Sequence, residues 1–412
     1  MTREAAAFIV ASALMGATSL DAQSIDTPAG AGIQAAAPHT HDDDADESGR
    51  SNSLVARLRS WVRDVQLLER LNGDVNGWYP RVGGITRGSG LAGGAGYRMP
   101  LFANALLADL SVALSTKSYT AVDARLRVLQ TPARRMELWT EFRAENFPQE
   151  DYFGTGMATS RATQTSYDFD NTDLRLRWIA RPRPWARVTT VAGYRRLAIS
   201  RGEDRNYPSI DDLFTDTTAP GLLAQPDFLH ATVTGDIDYR DTGGNTTRGG
   251  FYRMSYGLWN DVTLNAYDFH RIDVEAVQFV PLTRSGRHVV SGRLGAAAVN
   301  GRGDNRVPFY FLAYVGGRDT VRSVAEYRYK DHDAVWLSGE YKWIPMPNLS
   351  ISAFADAGQV SRDWHAVRAR DLQMAYGVGV AVHSATQTLV RLNVGTGGGE
   401  GWQFFVSMRP LF

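Results

Sequence analysis

Cysteine is absent from all 412 residues. That excludes a disulfide framework and thiolate metal sites, and it suits an oxidising compartment where a stray thiol would mispair. Lysine is almost absent too: it occurs only at Lys117, Lys330 and Lys342, the other cations being arginine, which we read as coding bias. Charge of either sign is not in excess, with 44 Lys and Arg against 44 Asp and Glu, so no nucleic-acid partner is expected. No apolar run reaches the roughly 18 residues of a membrane-spanning helix. No Gly-x-Ser-x-Gly occurs, and the glycine-rich GSGLAGGAG at 88–96 lacks the Lys-Ser/Thr of a phosphate loop. No catalytic residue, cofactor or metal is expected, and the chain does not read as an enzyme.

What is present begins with a secretory signal. Arg3 supplies a positive start, AAAFIVASALMGA an apolar core, and SLDAQ small residues before a cut after Ala22, giving a signal peptide at 1–22. Residues 23–50 are rich in Ala, Pro, Asp and His; the HTHDDDADESG run within them reads as solvated linker rather than a metal site. In 51–72, Leu54, Leu58, Trp61, Val62, Val65 and Leu68 recur at steps of three and four, which predicts an amphipathic helix ended by Gly73. Its apolar stripe needs a partner, and a lumen plug or periplasmic cap is expected.

From about residue 85 to 412 the period changes to two. In DLRLRW, Leu174, Leu176 and Trp178 oppose Arg175 and Arg177; in MELWTEFR, Met136, Leu138, Thr140 and Phe142 oppose Glu137, Glu141 and Arg143. About sixteen such runs can be counted, including one at 309–316. They are long for soluble strands, their polar face carries full charges, and aromatics such as Trp178, Tyr239, Trp343 and Trp402 sit near their ends. The fold class this predicts is all-β: a 16-stranded antiparallel transmembrane β-barrel of the Gram-negative outer membrane, closed because lipid offers no partner to a free edge. The terminal Phe412 matches the aromatic residue that ends such barrels and is read by the barrel assembly machinery during biogenesis. Lipid of the outer membrane is the other expected partner.

The stretch GGRDTVRSVAEYRYKD, 316–331, resembles the sixth extracellular loop of the BamA/TamA/FhaC-like superfamily of outer-membrane assembly factors, the bacterial surface antigen barrels. Gly316, Gly317, Val321, Arg322, Arg328 and Asp331 stand where that loop motif has its own; Ser323 and Val324 replace its glycine and aromatic. ISAFADAGQV resembles the thirteenth strand's signature through Phe354, Asp356 and Gly358, LSGEYKW the twelfth strand with its acid at Glu340, and DYRDTGGNTTRGGFY a mid-barrel hairpin motif through Arg240, Asp241, Arg248 and Gly249. FPQEDYFGTG resembles the loop before strand five. The period-two phase, read separately, puts Glu340 and Asp356 on the inward face of adjacent strands.

The resemblance implies that the loop folds back into the barrel, with Arg322 meeting Glu340 and Asp356. It implies a role in inserting or translocating proteins, or lipids, at the outer membrane. About 60 residues separate Ala22 from the first strand, so no POTRA module fits, and a branch without them is expected, with client capture left to a periplasmic partner. The competing expectation is a passive channel or structural barrel without assembly activity.

Overall fold

The computed structural model describes residues 76–86, 88–129, 135–384 and 388–407. The expected signal peptide, linker and helix, and Phe412, lie outside the described residues. Sixteen strands form one antiparallel sheet: β1 (Gly77–Gly83), β2 (Ala92–Leu101), β3 (Leu106–Ser115), β4 (Thr120–Val128), β5 (Met136–Tyr152), β6 (Thr165–Arg183), β7 (Ala186–Arg201), β8 (Phe228–Asp238), β9 (Gly249–Asp261), β10 (Phe269–Pro281), β11 (His288–Gly301), β14 (Asp333–Met346), β15 (Leu349–Ser361), β16 (Gln373–His383), β17 (Thr388–Gly397) and β18 (Trp402–Ser407). A separate two-stranded sheet pairs β12 (Ala313–Val315) with β13 (Tyr329–Asp331), both within the segment that links β11 to β14.

The count of sixteen comes from a different set of strands than the sequence suggests. FYFLAYVG at 309–316 is not a wall strand: it makes a 3-10 turn at Phe309–Phe311 and then β12. Its residues are apolar without alternation and are buried on all sides, so it has no lipid-facing row. The missing wall strand is β1, GWYPRVG, whose short length, glycines and Pro80 hide the period; Pro80 is tolerated because β1 is an edge. FPQEDYFGTG leads to the strand at 165–183, the fifth of the sequence count and β6 here, but it is only partly loop: Phe147–Tyr152 end β5 and the rest starts the connection. Closure also differs. The described residues give β1 and β18 no hydrogen bond to one another, so the sheet keeps two edges, formed by strands of only seven and six residues.

The wall is inside-out relative to a soluble protein. Leu174 and Leu176 are 52% and 55% exposed, while Arg175 and Arg177 between them are 3% and 4% exposed. In water, an apolar belt of this kind would be an aggregation surface; against lipid it is the stable arrangement. The charges it leaves inside are neutralised across neighbouring strands. Asp123 lies opposite Arg143 (2.6 Å), Glu141 opposite Arg175 (2.6 Å), and Asp236 between Arg187 (2.6 Å) and Arg253 (2.7 Å). A register slip of one residue would turn each of these charges into the apolar belt, so the pairs and the belt fix the same register.

Connections at one rim are short: two residues join β6 to β7 and two join β14 to β15. The opposite rim carries the long ones, 153–164, 202–227 and 302–332, which is the extracellular side of such a barrel. These loops meet over the lumen. Phe309 packs on Tyr152 and Tyr167, Phe311 on Trp259 and Phe269, and Phe309 N–H donates to Pro220 O (2.9 Å). One loop thus touches strands from β5 to β10, and the sheet curves round it.

Candidate functional site

The site is built where segment 316–331 meets the inward faces of β14 and β15. Along β14 the even-numbered residues point inward, so Ser338, Glu340 and Lys342 are buried while Leu337, Tyr341 and Trp343 face out. On β15 the same phase buries Ser352, Phe354 and Asp356.

Arg322 is 1% exposed and uses its fork fully. Nε and Nη2 donate to the two oxygens of Asp356 at 2.8 and 2.7 Å, Nη1 donates to Glu340 at 2.8 Å, and Nη2 also reaches Ser338 Oγ at 2.8 Å. Its backbone N–H adds a bond to Asp356 (2.9 Å), and the guanidinium lies 3.6 Å over the Phe354 ring. This is bidentate, charge-assisted bonding of the strong kind, with a cation–π contact beneath. Burial alone would lower the pKa of Arg322, but Asp356 and Glu340 outweigh it and hold it above its usual value.

The sequence reading did not include Arg391 on β17. It donates to Glu340 (2.7 Å) and Ser352 (3.0 Å), so Glu340 is shared between two arginines and the cluster is two cations against two carboxylates. An inward phase is legible in TLVRLNV, but which acid its arginine meets depends on a register across three strands.

The loop motif residues have separate tasks. Gly316 and Gly317 take φ of +125° and +89°, and a Cβ at Gly316 would stand 2.2 Å from Ala325 O. Val321 is fully buried against Gly358, where a Cβ would approach it to 2.8 Å. Arg328 donates to Glu400 (2.9 Å) in the β17–β18 loop and to Thr159 Oγ1 and O (2.8 and 2.6 Å) in the β5–β6 loop. Glu400 also accepts from Ala325 N–H (2.6 Å). Asp331 closes the hairpin end, accepting from His332 N–H at 2.8 Å. Lys330 points among the rings of Tyr152, Tyr167 and Tyr327, and burial pulls its ammonium down to about 8, against the opposing pull of Glu150 and Asp151. Glu400 and Thr159 carry no signal in the sequence, because both sit on loops whose only order is tertiary.

Ser323, which stands where the resembled motif has glycine, has φ +69°, a left-handed conformation that costs a side chain roughly 1–2 kcal/mol. Its hydroxyl is buried without a hydrogen-bond partner among the described residues and fits a notch at Gly395, where an added Cβ would meet it at 2.3 Å. Ser323→Gly is therefore expected to stabilise the fold by about 1 kcal/mol, read as a higher temperature for loss of the heat-modifiable folded band on a gel.

A sixteen-stranded antiparallel wall, apolar outside and ion-paired inside, with long loops at one rim, defines an outer-membrane β-barrel. The model of the Omp85 superfamily domain matches residues 110–409, and the chain belongs to that superfamily. Among solved structures it is similar to BamA from Haemophilus ducreyi lacking POTRA domains 1–3, with a TM-score of 0.61 at 16% identity, over 80% of this chain and 69% of that one. It is also similar to CdiB from Acinetobacter baumannii (TM-score 0.46, 12% identity) and CdiB from Escherichia coli (TM-score 0.49, 12% identity), over 80% of this chain in each case. It spans 58% and 61% of those two CdiB chains.

Proposed function

We propose that this barrel assists the insertion or translocation of proteins, or lipids, at the outer membrane, and that it is neither an open diffusion pore nor an enzyme. Membership of the Omp85 superfamily supports the class of activity. The observation that carries the choice against a pore is the loop at 302–332, which lies inside the wall with Arg322 fixed to Glu340 and Asp356 and with Phe309–Phe311 packed on the rings above. A diffusion channel has no use for a filled lumen, whereas a barrel that handles polypeptide at its wall can keep its lumen shut. Processing after Ala22, and a helix at 51–72 that plugs or caps the periplasmic side, belong to the same reading, as do a periplasmic partner that delivers clients and release by the barrel assembly machinery into outer-membrane lipid.

The experiment is reconstitution of the purified full chain in liposomes beside an unfolded outer-membrane protein. Folding of that client is expected to accelerate, with low resting conductance in planar bilayers. Deletion of 51–72 should raise conductance if the helix is a plug. High resting conductance with no effect on client folding would establish the passive channel instead.

A further inference from the structure

The ten-residue connection between β8 and β9, 239–248, is long for its rim, where the β6–β7 and β14–β15 turns have two residues and the β10–β11 connection six. Its base is an ordinary hairpin: Tyr239 N–H donates to Gly250 O and Asp241 N–H to Arg248 O. Its tip, TGGNTT at 242–247, does not hang free in solvent. Lys342 on β14 donates to Thr246 O (2.6 Å) and Asn245 Oδ1 (3.0 Å). Asn245 Nδ2 donates to Pro347 O in the β14–β15 turn (3.4 Å), and Thr388 Oγ1 on β17 donates to Gly244 O (3.4 Å). The partners lie three to six wall strands away from β9, so the tip crosses the mouth and attaches to the far side. Thr246 is 4% exposed there.

We propose that residues 242–247 are a strap that gates the periplasmic mouth of the lumen, with Lys342 as its latch. Three features fit a gate better than a fixed floor. Across the mouth the strap is held by Lys342 and two longer neutral bonds of 3.4 Å, and otherwise by bonds within its own connection, such as Thr247 N–H to the Asp241 carboxylate. Gly243 and Gly244 carry no side chain, so once the bonds at Gly244 open the backbone there can take other conformations. And Lys342 stands on the inward position of β14 next after Glu340, roughly 7 Å along the strand, so the strap from one mouth and the lumen loop from the other are fastened to neighbouring points on a single strand. The strap attaches at Pro347 in the turn and at Lys342, which is opposite Ser352; Ser350 on β15 lies between those two levels, is 3% exposed and is bonded to His383 Nε2 at 2.7 Å, so its exposure reports whether the strap is in place.

The chain has no cysteine, so Ser350→Cys is a sole thiol in the full-length protein. Reaction with a membrane-impermeant maleimide, presented to the periplasmic face of reconstituted protein, reads access past the strap. With the strap intact, labelling should be slow. With 242–247 replaced by an Asn-Gly turn, or with Lys342→Ala, it should be fast; Lys342→Arg, which keeps a donor, should restore slow labelling. Heat-modifiable migration identifies the variants that fold, and the shortened strap still tests the idea if Lys342→Ala does not. Equal labelling with the intact and the shortened strap, or fast labelling from the start, overturns the gate. Neither outcome bears on client folding, so failure here is separable from failure of the proposed function.

Discussion

Arg322→Ala is expected to cost about 3–5 kcal/mol and to release the lumen loop, because it leaves Asp356 and part of Glu340 as buried charges without their partner. An exposed ion pair would be worth only about 0–1 kcal/mol, so the size of the effect alone separates an internal cluster from a surface contact. The 1% exposure of Arg322 puts it in the first class. Glu340 retains Arg391, so the larger share of the loss falls on Asp356, which loses two side-chain donors and the charge that faced it and keeps only the backbone N–H of residue 322 and Ser338 Oγ. Asp356→Ala should give a similar loss, and the double variant little more than either single one, since both remove one interaction. The measurement is the temperature at which the folded gel band disappears, together with cleavage of the loop by added protease. Native-like values for Arg322→Ala would mean that the cluster does not hold the loop.

Leu294→Arg is the second large effect, and it tests the wall rather than the lumen. Leu294 is in the middle of β11, 54% exposed, directly opposite Leu337, which is 43% exposed. On a soluble protein such a substitution would change stability by less than about 0.5 kcal/mol. Facing the bilayer midplane it should cost about 2–4 kcal/mol. The same arginine placed near a rim, at Trp343 on β14, should cost less, because depth sets the cost. Refolding yield into vesicles against denaturant gives both numbers, and equal small losses at the two positions would contradict a lipid-facing wall.

The wall was largely legible because lipid outside and ion pairs inside make every strand declare both faces. DLRLRW has only one reading once Arg175 and Arg177 must meet acids and Leu174 and Leu176 must not. Where that contrast fails, so does the reading. GWYPRVG carries too little alternation to register as β1, and FYFLAYVG is apolar enough to pass for a wall strand although it fills the lumen. The cost of a free edge in lipid predicts closure, whereas the described residues of β1 and β18 share no hydrogen bond. In the site, Arg322, Glu340 and Asp356 all come from the resemblance, and strand phase separately turns the two acids inward. Arg391, Glu400 and Thr159 were out of reach, because pairing across β14 to β17 and between loops is a long-range property that no local pattern encodes. The β8–β9 connection carries its family resemblance in Arg240, Asp241, Arg248 and Gly249, yet it is Asn245 and Thr246 that reach across.

Segment 316–331 lies inside the barrel, and a single thiol tests that directly. Ser323 is fully buried, next to the arginine that holds the loop, and the chain has no thiol of its own. Ser323→Cys, offered a membrane-impermeant maleimide from the extracellular side of intact cells, should label slowly, and the same cysteine with Arg322→Ala should label at close to the rate of an exposed thiol. Fast labelling of Ser323→Cys with Arg322 in place would contradict the account, since the loop would then lie in solvent.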